Sequence, residues 1–271
     1  MTAESNQPKV PAAHRLDDPA RLAQCARIRT MIRQVFQDPA RQEDWYAKRY
    51  HHWTFDPPVE LREVEALEEK MGVSLPDEFV YFLTQVSGGG AGPGTRFVVE
   101  YCEESVAGVS ELLGKILNRD DWMELYGEVG HSYEDEPGVV SLTGMDNCFD
   151  AFLIVTGPNR GRVVYLDYNC CNAPMWPKGS PDFLAWYENF FSELLAGYDI
   201  SPTWKFMWQE PGDEQALMRA FRNTEDRQYQ EEVLYSFRKF RELSEDARRF
   251  LESVQDPELR ECARKALQKF S

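Results

Sequence analysis

The 271-residue sequence is poor in histidine and in positive charge, and it contains no long hydrophobic run. No segment approaches the roughly 20 consecutive apolar residues that cross a bilayer, so we expect no membrane span. Residues 1–15 also lack the apolar stretch of an export signal, since Pro8 and Pro11 interrupt them. The simplest expectation from these absences is a soluble, cytoplasmic protein.

Motifs that carry chemistry are missing as well. There is no phosphate-binding loop, no Gly-x-Ser-x-Gly, no His-Glu-x-x-His and no Cys-x-x-Cys. The glycine-rich residues 88–94 follow a predicted helix, whereas phosphate loops precede one. The adjacent cysteines Cys170 and Cys171 miss the usual spacing of zinc ligands, and without an export signal the six cysteines are expected to be reduced. We therefore expect no catalysis, no metal and no cofactor.

The negative charge is unevenly distributed. Residues 57–200 contain eight Lys/Arg and twenty-five Asp/Glu, whereas residues 1–56 have a balance of +2 and residues 201–271 a balance of −1. Such a field repels nucleic acid and anionic membranes and favours a basic protein partner. Paired carboxylates could also serve a glycosidase or bind a cation, but no second signature accompanies them. A solvated acidic surface that only confers solubility is the simpler alternative.

Residues 61–90 have the clearest local pattern. A first amphipathic helix is indicated by the apolar residues Leu61, Val64, Leu67 and Met71. Gly72 is expected to end this helix, and Pro76 suits the first position of the next one. Gly88 begins a glycine-rich exit toward a strand. The pattern predicts two packed helices and, by itself, no chemistry.

Three motifs in this order resemble those of a known family. The first is carried by Gly72, Leu75, Pro76, Glu78 and Phe79 and is followed by the Ser-Gly-Gly of residues 87–89. The second is a Gly-x-Val-Val-Tyr-Leu-Asp hairpin over residues 161–167, and the third is an aromatic closing helix over residues 180–195. Together they are similar to the SUKH superfamily, which includes fungal cell-wall-assembly regulators and bacterial immunity proteins. The chain departs from the family pattern in an insertion over residues 103–139.

The resemblance implies an α+β fold with a mixed or antiparallel sheet and flanking helices. The segments predicted to be strands are residues 96–101, 138–142, 151–156 and 162–167, with a helix over residues 112–126 between the first two. Three regions are expected: an N-terminal helical arm (1–56), a SUKH-like domain (57–200) and a C-terminal helical extension (201–271).

The two extensions are predicted to be helical because both carry start signals for helices. Asp18-Pro19 and Asp38-Pro39 mark helix starts in the arm, and Asp256-Pro257 marks one near the end of the chain. Residues 251–270 resemble the second half of a HEAT repeat, although a plain helical hairpin explains them more simply. One or two such units would need to pack on the central domain or on a partner.

The resemblance implies that this protein binds another protein and does not transform a substrate. We expect an immunity protein that neutralises a nuclease-type toxin by occluding it, because a nuclease presents Lys and Arg to phosphates. The alternative is a regulatory or scaffold protein with a housekeeping or signalling partner. The oligomeric state stays open. The residues predicted to contact the partner are acidic or aromatic: Glu103, Glu104, Trp122, Tyr126, Tyr133, Glu134, Asp135, Glu136, Asp146 and Trp176.

Overall fold

The computed structural model describes residues 16–42, 45–71, 74–94, 97–98, 139–145, 148–155, 157–167, 174–201 and 204–270. Helix α1 (Pro19–Gln37) starts where Asp18-Pro19 predicted it, since the Asp18 side chain accepts a hydrogen bond from the Ala20 N–H at 2.8 Å. The Asp38-Pro39 signal is followed by the short helices α2 (Pro39–Gln42) and α3 (Trp45–Tyr50). The predicted N-terminal helices are thus confirmed.

The two helices predicted within residues 61–90 are α4 (Leu61–Met71) and α5 (Asp77–Gln85). One detail of the prediction is wrong: Pro76 occupies the N-cap position of α5, and the helix begins at Asp77. Because Pro76 has an extended backbone with ψ of 140°, it precedes the first helical residue. The predicted helix end at Gly72 lies outside the described residues.

A small antiparallel sheet joins β1 (Phe55–Asp56), β2 (Gly89–Gly90) and β3 (Phe97–Val98) in that order. Gly90 lies so close to the neighbouring strand that a Cβ atom there would stand 2.3 Å from the carbonyl oxygen of Thr54. Its φ of +110° also disfavours any other residue. The glycine-rich exit therefore forms a strand that only glycine can occupy at this point.

A second antiparallel sheet contains β4 (Val139–Gly144), β5 (Phe149–Ile154) and β6 (Val163–Asp167). The sequence predicted these strands to within two residues, and β4 has a register shift between Ser141 and Thr143. Met175 extends the sheet by pairing with Tyr165 at the β6 edge. The fold is thus α+β with antiparallel sheets, as predicted, while the helix expected over residues 112–126 lies outside the described part.

The main core is aromatic and is built around α6 (Phe183–Leu195). The Phe183 ring makes edge contacts with Phe79 of α5 at 4.9 Å and with Phe82 at 5.1 Å between centroids. The Trp186 N–H donates to the Tyr165 hydroxyl at 2.7 Å, which anchors α6 to β6. Residues Cys25, Ile28 and Val35 of α1 belong to the same core, so α1 is packed against the central domain.

The C-terminal part is helical, as predicted. Its helices are α7 (Trp204–Trp208), α8 (Glu214–Arg222), α9 (Arg227–Ser236), α10 (Glu245–Glu252) and α11 (Pro257–Gln268), with a 3₁₀ turn at Phe237–Lys239. Helices α8 to α11 share a hydrophobic core of their own, which includes Leu217, Phe237 and Ala263. Cys262 on α11 is only partly buried, whereas Cys25 on α1 is fully buried. The HEAT-like repeat is not confirmed.

A buried ion pair connects the two cores. The ammonium group of Lys239, which has no exposed surface, lies 2.6 Å from Oε2 of Glu193 on α6 and donates to the Glu210 carbonyl oxygen at 2.8 Å. Burial lowers the pKa of Lys239 and raises the pKa of Glu193, while their attraction opposes both shifts. The positions of the boundaries at residues 56 and 200 remain predictions. In the part of the chain that the structure describes, no helix is long and apolar enough to span a membrane.

Candidate functional site

Two of the sequence motifs, separated by about 85 residues, meet at one corner of the central domain. Gly161, in the turn between β5 and β6, has a φ of +90° and faces the start of α5. A Cβ atom at Gly161 would lie 3.2 Å from Oε2 of Glu78 and 3.6 Å from Cβ of Pro76. The hairpin glycine therefore allows the turn to pack against the Leu-Pro segment.

Hydrogen bonds hold the Leu-Pro segment from two sides. The Arg160 guanidinium donates to the carbonyl oxygens of Ser74 at 3.0 Å and Leu75 at 2.6 Å. On the other side, Oε1 of Glu68 on α4 accepts the Leu75 N–H at 2.7 Å. These contacts fix the residues that lead into α5, which has no side-chain cap of its own. The corner is a structural feature that orients α4, α5 and the hairpin.

Helix α1 places its arginines against acidic residues of α5 and α6. Arg21 pairs with Glu78, and Arg27 pairs with Glu188 at 2.8 Å. The Asp182 carboxylate lies 3.7 Å from Arg21. Since α1 contains four arginines and no acidic residue, it neutralises the face of the domain on which it lies.

The acidic residues of α4 are not neutralised in this way. Among the described residues, Glu65 and Glu69 have no ion-pair partner. They are four residues apart, so their like charges lie on the same side of the helix and destabilise it slightly. Glu63 and Glu60 add negative charge at the helix start, where Arg62 pairs with Glu60 at 2.8 Å. We call Glu65 and Glu69, which share one side of the helix, the acidic face of α4.

The outer face of the second sheet holds the one predicted contact residue that the structure describes. Met175 packs against the main core, so Trp176, the next residue along this extended segment, lies on the opposite face. The Arg162 guanidinium stacks on the Trp176 ring at 4.0 Å from its centroid. On the same face, burial raises the pKa of Asp150 to about 6 and lowers the pKa of Arg162.

The other nine predicted contact residues lie outside the described residues: Glu103, Glu104, Trp122, Tyr126, Tyr133, Glu134, Asp135, Glu136 and Asp146. The acidic face of α4 was not among the predicted contact residues, because the apolar spacing of α4 indicated a helix that only packs against its neighbour. A signal was available, since residues 60–71 contain five glutamates but only two basic residues.

The described part of the chain contains no group of three or more His, Cys, Asp or Glu side chains arranged to hold a metal ion. His51 is buried, and its Nδ1 accepts the Trp53 N–H at 3.1 Å, which gives it a structural role. Cys170 and Cys171 lie outside the described residues. The described part of the domain instead presents charged and aromatic surfaces suited to contact with another macromolecule.

Comparison with known proteins agrees with this description. No curated protein matches the chain. The sequence model of the SMI1/KNR4 family (SUKH-1) matches residues 58–197, which is more than half of the chain. That family is generally non-catalytic, and it fits a protein-binding role of the immunity or regulatory type. The matched range includes both motifs that meet at Gly161 and Pro76, and the chain belongs to the SMI1/KNR4 family (SUKH-1).

Proposed function

We propose that this protein is a cytoplasmic immunity protein that binds a basic, nuclease-type toxin domain and occludes its active surface. The observation that carries the proposal is the concentration of negative charge in the family-matched region: residues 57–200 have a balance of −17, while the whole chain has −16. A nuclease surface is rich in Lys and Arg that contact phosphates. An acidic inhibitor can cover that surface without any turnover.

The contacts of α1 support this choice of partner. The side chains of Arg21 and Arg27 show that the domain accepts a basic helix on one face, where Glu78 and Glu188 are already paired. The acidic face of α4 has no such neighbour among the described elements. A second basic element would therefore find carboxylates on α4 that are not already paired, unlike those that contact α1.

The energetics also favour a cationic partner at α4. A Lys or Arg side chain placed between Glu65 and Glu69 would relieve their mutual repulsion and gain attraction from both. Opposite long-range charge would increase the association rate, most strongly at low ionic strength. The predicted contact residues, from Glu103 to Asp146 and at Trp176, remain part of this proposal as further acidic and aromatic contacts.

Co-expression with the toxin encoded by a neighbouring gene tests the proposal. We expect the intact protein to restore growth, and the variant Glu65→Lys/Glu69→Lys to protect less because it reverses two charges on the acidic face. The matched control is Glu225→Lys/Glu252→Lys, which makes the same change in overall charge at exposed positions of the C-terminal part. Full protection by the α4 variant would remove the acidic face from the proposal.

Failure of the intact protein to protect against the neighbouring toxin would overturn the immunity role itself. Salt dependence checks the electrostatic part separately, because an affinity that does not change with ionic strength is incompatible with charge steering.

A regulatory or scaffold role is the second candidate, and the C-terminal helices favour it. They lie outside the family match at residues 58–197 and have a separate core. A housekeeping operon in place of a toxin gene, together with recovery of a housekeeping partner by pull-down of the intact chain, would support this role over immunity.

A further inference from the structure

A groove between α8 and α10 lies outside the region that matches the family. Its volume is about 330 Å³. Its charged lining residues are Arg222, Arg249 and Asp246, so two cations face one carboxylate; Gln215, Met218, Phe250 and Ser253 complete the lining. We call this feature the arginine groove.

Arg222 is the most available cation of the arginine groove. Among the described residues it has no ion-pair partner, and its guanidinium carbon stands 5.4 Å from the centroid of the Phe250 ring. A guanidinium held over an aromatic ring keeps its N–H donors free to bind a carboxylate. Arg219, one turn earlier on α8, is exposed and likewise has no ion-pair partner in the described part of the chain.

Arg249 is the second cation of the groove, and the ion pair that it makes among the described residues is weak. Its guanidinium lies 2.6 Å from Asp246 on the same helix, but the two side chains are 69% and 66% exposed. Exposed pairs of this kind contribute little to stability. A carboxylate of a ligand can therefore compete with Asp246 for Arg249.

The arginines of α1 show a different arrangement. They also line a surface groove, yet Arg21 and Arg27 are occupied by Glu78 and Glu188. The arginine groove is thus a locally positive site with unused donors in a chain whose overall charge is −16. Met218 and Phe250, both largely buried, contribute the apolar part of its lining.

We propose that the arginine groove binds an acidic peptide segment of a second partner protein. Carboxylates of the segment accept hydrogen bonds from Arg222 and Arg249, and an apolar side chain between them contacts Met218 and Phe250. Bidentate arginine–carboxylate pairs provide both strength and orientation. This inference goes beyond the proposed function, because it gives the protein two partners of opposite charge on two separate surfaces.

Fluorescence anisotropy with the intact chain tests the inference. One probe is a short fluorescein-labelled peptide of repeating Glu-Glu-Leu, and the other has repeating Lys-Lys-Leu. We expect the acidic probe to bind and its affinity to fall about tenfold or more in Arg222→Glu, as loss of one charge-assisted pair would give. Arg222→Gln, which removes the charge but keeps a polar side chain, should fall in between.

Arg241→Glu is the matched control, because Arg241 is exposed and has no ion-pair partner among the described residues. It should leave binding of the acidic probe within about twofold of the parent, a difference below 0.5 kcal/mol. Far-ultraviolet circular dichroism confirms that each variant keeps its helices.

Three results would overturn the inference: no binding of the acidic probe, equal losses in Arg222→Glu and Arg241→Glu, or an Arg222-dependent preference for a labelled oligothymidylate. The basic probe distinguishes failure of this inference from failure of the proposed function. Its binding should depend on Glu65 and Glu69 and not on Arg222, so either surface can fail without the other.

Discussion

Helix α5 of the central domain and the C-terminal helices begin in different ways. In the C-terminal part, the side chains of Asp213, Asp226, Ser244 and Asp256 each accept a backbone N–H within three residues. Helix α5 has no side-chain cap, and its start is held by Glu68 and by Arg160 from a distant hairpin. The C-terminal helices therefore rely on local signals, as α6 does through its Asp182 cap, whereas α5 relies on contacts between residues far apart in the chain.

The junction between the two regions should give the largest effect. Lys239→Met leaves the Glu193 carboxylate buried without its cation, and we expect a loss of about 3–5 kcal/mol in the free energy of unfolding. The double variant Glu193→Leu/Lys239→Met should recover most of this loss, since it removes both buried charges. Urea denaturation measures the loss, and hydrogen exchange locates it.

The exposed pair Arg264–Glu261 provides the control for the junction. Arg264→Met removes one partner of a contact of 2.5 Å between exposed side chains, so we expect a much smaller loss of stability than in Lys239→Met. Equal costs for Lys239→Met and Arg264→Met would show that burial does not govern the junction.

Arg160→Ala tests the dependence of the central domain on distant contacts. We expect it to cost about 2 kcal/mol, because two carbonyl oxygens at the Leu-Pro segment lose a charged donor. Hydrogen exchange should accelerate in α5 and leave α10 and α11 unchanged. Faster exchange in α10 would contradict the separation of the two regions.

The pH dependence of the stability of Asp150→Asn tests whether the central domain holds a buried charge at this position. Burial raises the pKa of Asp150 from 3.8 to about 6, so the folded protein binds its proton more tightly than the unfolded chain. The free-energy cost of keeping the ionised Asp150 carboxylate buried in the folded protein is absent below pH 4. It grows as the pH rises toward 6 and is complete above pH 6. We expect Asn to stabilise the protein above pH 6 by about 1.5 kcal/mol, since partial exposure reduces the cost of the charge.

Thermal unfolding of the parent and Asp150→Asn at pH 4 and at pH 7.5 measures this difference. Glu193 and Glu210 also have raised pKa values through burial, and their effect cancels in the comparison of the two proteins. If the difference in stability between the parent and Asp150→Asn does not increase from pH 4 to pH 7.5, a buried Asp150 charge is excluded.

Apart from the Arg264→Met control, Ser244→Ala should give the smallest effect. It removes the hydroxyl that accepts the Ala247 N–H at 3.2 Å and should cost about 1 kcal/mol. Ser244→Asp is the conservative variant, which should retain stability because aspartate is an equally good cap. Exchange rates in α10 should rise in Ser244→Ala and stay constant in α5, the reverse of the pattern expected for Arg160→Ala.

The same contrast explains which elements could be predicted. The starts of α1 and α11 follow from Asp18-Pro19 and Asp256-Pro257, because a cap involves residues only two or three positions apart. The start of α5 was misplaced by one residue, since the contacts that position Pro76 come from Glu68 and from the β5–β6 turn. The aromatic spacing of residues 183–195 predicted α6 correctly, but did not reveal that Trp186 bonds to Tyr165.

The candidate site could likewise be predicted only in part. The acidic excess of residues 57–200 is visible in the sequence, yet its distribution between neutralised and free carboxylates is not. Only the packing of α1 shows that Glu78 and Glu188 are paired, and that Glu65 and Glu69 are not among the paired residues described.

The sequence by itself determined the family, the α+β class, the helix starts and the sign of the charge, because each depends on residue identity and short-range spacing. The tertiary structure decided which of those charges are buried, paired or available. It placed Lys239 beside Glu193 across 46 positions of the chain and left Arg222 without an ion pair in the described residues. Electrostatic free energy depends on distance and burial in space, and neither can be read from separation along the chain.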